Sequence, residues 1–316
     1  MDMPDDVRAW VRSVFRACSV ETAVALSRMP NTHEEALDLA FIAKAAEYAA
    51  PVRLPSDWVV RIDTHFLGGR RHFYNWEIAD IGVLILFRRG GKLVKTKVAL
   101  LQSKRLYPVE QEYDEAERLD YEIGFARLFH TDSRLDAVVG PRVFAFTDDS
   151  TYTALKSKDE QDKAIVAYEK QSGIPVYYLL YHPAHVPYET EIPRVPNGVA
   201  EEPVVLGARV LPSQDVRNVT RSKPKGYLPR FGDIKILSPT PSAPTVTPPG
   251  WLVEEFVADL AIDCKVGHAT ERFDDEGLRQ LFFNRSGPIA AAIAVTFDAP
   301  RGGPGNADRG AIARVV

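Results

Sequence analysis

Cysteine is nearly absent. Cys18 and Cys264 are the only two in 316 residues, and they lie far apart in no disulfide or metal-ligand spacing. That excludes a disulfide-stapled secreted domain and a cysteine-based zinc site, and it fits a reducing compartment. Long apolar runs are missing as well: none reaches the roughly 18 residues that a membrane-spanning helix needs. The first residues, Met-Asp-Met-Pro-Asp-Asp, have no apolar stretch behind a basic one, so no secretory leader is expected and the cytoplasm is the expected location. No Gly-rich phosphate loop, nucleophile elbow or Cys/His pair is found, which leaves an enzyme of small substrates without support. A surplus of positive charge is lacking too. With 39 Lys and Arg against 43 Asp and Glu, the formal net charge is -4, unlike a protein that coats nucleic acid nonspecifically.

What is present is a globular composition, 45% hydrophobic and 26% charged, in a chain longer than the usual single domain. The first expectation is one large α/β domain with a smaller C-terminal unit. Charge is unevenly placed: Arg88, Arg89, Lys92, Lys95, Lys97, Lys104 and Arg105 fall in a stretch without an acid, and residues 110–122 then carry seven carboxylates against Arg118. A basic edge beside an acidic helix is expected.

Apolar periodicity predicts helices within residues 7–50. Val11, Val14, Phe15 and Cys18 mark the first, while Leu37, Leu39, Ala40, Ile42, Ala43 and Ala46 form one broad face of the second, with Asn31 or Thr32 as its cap. Strands are predicted at 58–66, 77–87 and 95–102, with Gly90-Gly91 closing a hairpin between the last two. A helix at 110–129, a strand at 142–147, a helix at 158–171 and a strand at 174–181 complete a β-α-β alternation that favours an α/β sheet. The predicted units are a core at 1–181, a loop-rich insertion or small β element at 182–237, a Pro/Ser/Thr linker at 238–250, a C-terminal helical unit at 251–299 and a tail at 300–316. Within the C-terminal unit, 251–265 reads as an amphipathic helix, 274–283 as a shorter one and 289–297 as a strand.

Asp80 lies inside the apolar run Ile78-Ala79-Asp80-Ile81-Gly82-Val83. A carboxylate there is costly to bury unless it is paired or bound to a cation. In the next strand Gln102 and Lys104, two apart, share a face, and a hairpin through Gly90-Gly91 brings Asp80 opposite them. A carboxylate and an amide oxygen can hold one hard cation such as Mg²⁺, with a lysine alongside. Those are the residue types that phosphodiester hydrolysis needs: ligands for a water-activating metal, and a cation for the charge that develops at phosphorus.

The pattern Asp80, 21 residues, then Gln102-Ser103-Lys104 resembles the PD-(D/E)xK nuclease superfamily in its QxK variant, and is similar to the Mrr-type restriction endonuclease branch. The resemblance covers residues 37–181. It implies a restriction-endonuclease-like mixed β-sheet core flanked by helices, here with a smaller C-terminal α+β unit. It also implies a Mg²⁺- or Mn²⁺-dependent endonuclease acting on nucleic acid, DNA in the first place, with Lys104 as the catalytic cation. Asp80, Gln102 and, from the preceding helix, Glu47 are the implied catalytic and metal-binding residues, and Glu77 is a further candidate. The sequence departs from the pattern in having Ala79 where a proline often precedes the aspartate. By analogy, such a compact nuclease suits a bacterial antiviral defence effector, released by a regulatory protein partner or working as a homodimer.

Arg88, Arg89, Lys92, Lys95, Lys97 and Arg105 are the candidate nucleic-acid rim, although the same charges can serve to keep a hairpin edge from aggregating. Ser103 is read as a packing or backbone-mediated contact, and His182 and His185 as loop residues. Tyr121 and Glu122 are further candidates near the site. Arg217, Arg221, Lys223, Lys225 and Arg230, with Tyr227 and Phe231, form a second basic stretch. A rival reading makes the chain a catalytically inactive nuclease-like scaffold that binds nucleic acid or a protein, with the 251–265 helix docking on a partner.

Overall fold

The computed structural model describes residues 3–66, 78–110, 142–192, 203–235, 249–263, 265–270 and 289–300. Two helices open the chain, α1 (Asp5–Arg28) and α2 (Glu34–Ala46). Then come β1 (Val52–Arg53), β2 (Val59–Phe66), β3 (Ala79–Arg89), β4 (Lys92–Arg105), β5 (Val109–Glu110), β6 (Arg142–Phe146), α3 (Glu160–Ser172), β7 (Val176–Tyr181) and β8 (Tyr188–Ile192). The remainder is β9 (Ala208–Pro212), α4 (Ser213–Thr220), α5 (Phe231–Ile234), β10 (Trp251–Leu252), a short α6 (Val253–Glu255) running into a π-helical stretch (Phe256–Ala261), β11 (His268–Thr270) and β12 (Ile289–Ala299). The predicted helices at 110–129 and 274–283, most of the linker and the tail lie outside the described residues, as do Glu77, Tyr121 and Glu122. No described helix is long and apolar enough to cross a membrane.

The protein is a mixed α/β structure. Its nine-stranded sheet runs β1-β2-β12-β3-β4-β7-β9-β10, with β11 against the early part of β4, and β5-β6-β8 form a separate three-stranded sheet. The β12/β3 and β4/β7 pairs are parallel, while β3/β4 and β2/β12 are antiparallel. Local chemistry explains the hairpin: Gly90 and Gly91 both have positive φ, at 58° and 82°, which the tight turn between twisted strands requires. The α3 boundaries follow the same logic. Asp159 caps its start by accepting from the Asp162 backbone N–H at 2.8 Å, and Gly173 closes it in the left-handed conformation.

β4 is the strand that positions the site. It is flanked by β3 on one edge and by β7 on the other, and every residue from Thr96 to Arg105 is buried. Both faces are therefore covered, and polar groups near its end must find partners inside the protein.

Three organisational expectations are corrected. The C-terminal segment is not a separate unit: β12 is inserted between β2 and β3, pairing along their length. Residues 182–237, expected as a loop-rich insertion or small β element, carry strands that join both sheets, since β8 pairs β6 and β9 pairs β7. The β-α-β expected from 142–181 is split, because β6 belongs to the small sheet and β7 to the large one.

The predicted 251–265 helix is a short strand followed by an α turn and a π-helical turn. Its apolar residues Val253, Phe256, Val257 and Ala261 are buried in the core, so this face is not available to a partner. Charge matching holds it against α1. Arg8, Arg12 and Arg16, one helical turn apart, pair with Asp263 (2.5 Å), Asp259 (2.5 Å) and Glu254 (3.1 Å).

Candidate active site

α2 buries Leu37, Asp38, Phe41, Ile42 and Ala45, the i, i+1, i+4, i+5, i+8 stripe of a helix lying on a sheet. This corrects the phase expected from sequence. Leu39 is 55% exposed and Ala43 and Ala46 face solvent, so the apolar face is rotated about one residue from the one predicted. The rotation has a chemical result: an aspartate sits in the core-facing stripe, and Glu34, one turn earlier, lies on the same side. His33, rather than Asn31 or Thr32, occupies the cap position and makes no side-chain cap hydrogen bond.

The helix is pinned to the end of β4. The Arg105 guanidinium donates to the carbonyls of Thr32 and Pro30, in the connection between α1 and α2, and lies 3.8 Å from the Tyr107 ring centroid. The Arg105 backbone N–H donates to Glu34 Oε1 at 3.0 Å. Burial pushes the guanidinium pKa down to about 10, and its two carbonyl-directed hydrogen bonds in a dry site make it a structural clamp.

Asp80 meets this end of β4 from the other side. The Ile81↔Leu101 pairing sets Asp80 across from Gln102, one residue away from the register that starts at Arg89↔Lys92, because a bulge at Phe87/Arg88 shifts the pairing. Asp80 Oδ2 accepts from Gln102 Nε2 at 2.5 Å and from the Ser103 backbone N–H at 2.7 Å. Ser103 also donates its hydroxyl to Asp38 Oδ1 at 2.5 Å, and the Tyr181 hydroxyl, from the end of β7, donates to the same oxygen at 2.7 Å. Ser103 therefore touches both acids, one through its backbone, as expected, and one through a side chain whose role the sequence did not disclose. Lys104 Nζ lies 3.6 Å from Glu34 Oε2.

The electrostatics are those of an acidic site short of positive charge. Among the described residues Asp38, Asp80 and Glu34 face one ammonium, that of Lys104. Burial, then the neighbouring charge of Glu34, push the Asp38 pKa up to about 7 against the Ser103 and Tyr181 hydrogen bonds. Burial and then the Asp38 charge push Asp80 well above the usual carboxylate range, although the residue keeps some solvent exposure. Buried carboxylates in this relation require a compensating cation or a proton.

The donor set fits a hard metal ion. Each acid is held through one oxygen, so Asp38 Oδ2 and Asp80 Oδ1 are left outside these hydrogen bonds. Gln102 Oε1 is buried without a hydrogen-bond partner. A cation bound there would keep Asp80 ionised, and an ionised Asp80 sets that amide orientation, because the reverse would place two acceptors against each other at 2.5 Å. An orphaned amide oxygen next to the Asp80 carboxylate, with Asp38 joined to the same strand through Ser103, offers hard donors of the kind an oxygen-loving cation takes. Among the described residues no three His, Cys, Asp or Glu come together as a metal cluster, and within that set the Gln102 amide is the further oxygen donor next to Asp80.

Other sequence candidates fall elsewhere. Glu47, the helix residue expected to complete the site, is the C-cap of α2, has an exposed side chain and pairs with Lys44 at 2.8 Å. Nine residues of helix put it about 14 Å along the axis from Asp38. The acids of α2 that reach β4 are Glu34 and Asp38. Asp38 carried a legible signal, as an acid four residues from Glu34 and three before Phe41 in an apolar stripe. The Tyr181 hydroxyl carried none, because any aromatic would suit that strand.

The basic rim is also corrected. Lys97 is buried, its Nζ donating to the carbonyls of Ala261 and Val266, and Arg105 is the buried clamp. Arg88, Arg89, Lys92 and Lys95 remain at or near the surface of the hairpin. Ten residues of strand place Lys92 roughly 33 Å from Gln102. Members of the second basic stretch are matched to acids, Arg217 to Glu169, Lys223 to Asp233, Lys225 to Glu160 and Arg230 to Asp149. His182 is buried rather than in an open loop: Nε2 is 2.7 Å from the Tyr152 hydroxyl and Nδ1 is 2.8 Å from the Gly207 carbonyl.

Comparison with family models, with characterised proteins and with solved structures finds no match to this chain, so the functional reading rests on the geometry of α2, β3, β4 and β7.

Proposed function

We propose that the chain is a metal-dependent endonuclease that hydrolyses phosphodiester bonds of nucleic acid, DNA in the first place, with Asp38, Asp80 and Gln102 as the residues that hold Mg²⁺ or Mn²⁺. The observation that carries this reading is Gln102: its amide nitrogen secures Asp80, and its amide oxygen is buried without a hydrogen-bond partner among the described residues. A Mg²⁺ held there supplies a water of lowered pKa and neutralises charge on the phosphate. The protein's own groups do the rest. Asp80 and Asp38 are fixed by Ser103, which limits the reorganisation needed when substrate binds. Lys104 Nζ is the ammonium that meets the negative charge developing on a phosphoryl oxygen, and Glu34 holds it near the acids. The expected defence setting and regulatory partner remain part of this proposal by analogy.

One observation favours the rival reading, a nuclease-like scaffold without catalysis: the Lys104 side chain is only 4% exposed and already near Glu34. The discriminating experiment is cleavage of plasmid, single-stranded DNA and RNA by wild type and Lys104→Ala, with Mg²⁺, with Mn²⁺ and with chelator. The nuclease reading expects metal-dependent cutting that Lys104→Ala abolishes at temperatures where thermal unfolding shows the variant still folded, with some loss of stability because a buried cation beside Glu34 is removed. Cutting that survives the substitution, or binding without cutting by wild type, rejects it.

A further inference from the structure

We propose that Tyr181 is a positioning residue for metal binding, which acts with Ser103 to aim the carboxylate of Asp38. The proposal rests on the metal-site reading above and deepens it. β4 and β7 run parallel with Ser103↔Leu179 and Arg105↔Tyr181 in register. Side chains alternate along a strand, so Ser103, Arg105 and Tyr181 share the face that α2 covers. Tyr181 is fully buried, in a strand reading VYYLLY where phenylalanine would fill the same space. A buried phenol needs a partner for its hydroxyl, and that partner is Asp38 Oδ1 at 2.7 Å.

The Ser103 hydroxyl reaches the same oxygen at 2.5 Å. Two donors from neighbouring strands converge on one carboxylate oxygen and leave Oδ2 outside both hydrogen bonds. Such an arrangement selects one orientation of the carboxylate plane. The Tyr181 ring is itself held, with its centroid 6.4 Å from that of Phe41, three residues after Asp38 on the same helix. Ligand, donor and packing partner thus move as one unit. Groups that orient a ligand from behind are worth about 10- to 100-fold in metal affinity.

The test is Mn²⁺ titration calorimetry on the full chain, paired with thermal unfolding in chelator, for wild type, Tyr181→Phe, Ser103→Ala and Asp80→Asn. The expected result is Mn²⁺ binding by wild type, its loss in Asp80→Asn, and affinity reduced about tenfold in both Tyr181→Phe and Ser103→Ala. Cleavage by the two latter variants should recover as Mn²⁺ is raised. A purely structural tyrosine would lower the unfolding temperature and leave affinity unchanged. Wild-type affinity in Tyr181→Phe, with binding lost in Asp80→Asn, overturns the proposal and leaves the metal site standing. Absence of Mn²⁺ binding by wild type overturns both. Should Tyr181→Phe fail to fold, Ser103→Ala decides, because it removes the other donor on the same oxygen and keeps the backbone bond to Asp80.

Discussion

Gln102 gives its amide nitrogen to Asp80 across the β3/β4 pair and keeps its amide oxygen buried with no partner. Gln102→Glu replaces the donor with a third acid. Without divalent cation the variant should be less stable than wild type by about 1–3 kcal/mol, the cost of losing a buried donor and adding a like charge. With Mn²⁺ its unfolding temperature should rise by more than that of wild type. Thermal unfolding in chelator and in Mn²⁺ reads both effects, and an equal metal-induced rise in the two proteins would count against a site at Oε1.

Asp38 is kept in the protein at the expense of stability. Burial raises its pKa to about 7 in the folded protein, from the 3.8 of an unperturbed aspartate. Between those values the unfolded chain releases the proton that the folded protein retains, so stability falls as pH rises through the window. Asp38→Asn lacks this penalty and can still accept from Ser103 and Tyr181. In chelator at pH 8 the variant should be more stable than wild type, by on the order of 2 kcal/mol, with the difference fading towards pH 4. It should not cut nucleic acid. Urea unfolding across that range is the measurement, and a variant less stable than wild type at pH 8 contradicts the account.

Glu47 makes the control. Its exposed pair with Lys44 contributes little, so Glu47→Ala should change stability by less than about 0.5 kcal/mol and leave cleavage within twofold. A loss of cutting comparable with that of Asp38→Asn would show that the site extends along α2.

His182 sets an acid limit on the fold. Burial pushes its pKa down to about 3, and both ring nitrogens are engaged by neutral partners, Tyr152 and the Gly207 carbonyl. Below the ordinary histidine pKa, near 6.5, the unfolded chain takes up a proton that the folded one refuses, so stability is lost as pH falls from there towards 3. The slope approaches about 1.4 kcal/mol per pH unit from this group. His182→Gln should be less stable at neutral pH and show a shallower loss between pH 6 and 4. Equal slopes in the two proteins would remove His182 as the cause.

The local text of the chain was enough for several elements. β2, the β3/β4 hairpin, β6, α3, β7 and β12 were all legible, because strand alternation, paired glycines and helix caps act between neighbours in sequence. The facing of Asp80 and Gln102 was expected from the hairpin but depends on a bulge at Phe87/Arg88, which shifts the pairing by one residue from the register that the two-residue turn sets. The phase of α2 was not legible in this way. Leu39, Ala40 and Ala43 are apolar enough to make a plausible face, and the choice between that face and the one through Leu37, Phe41 and Ala45 is made by contact with the sheet.

Composition and short-range pattern alone therefore settled the class of fold and the two strands that carry Asp80, Gln102 and Lys104. Docking decided the rest. Asp38 enters the site only because Arg105 fastens the start of α2 to the end of β4, a contact made across more than seventy residues. Tyr181 joins it because β7 lies parallel to β4, and β12 completes the sheet from the far end of the chain by sitting between β2 and β3. Contacts of this kind depend on burying surfaces that are distant in sequence, and no pattern within either segment specifies its partner.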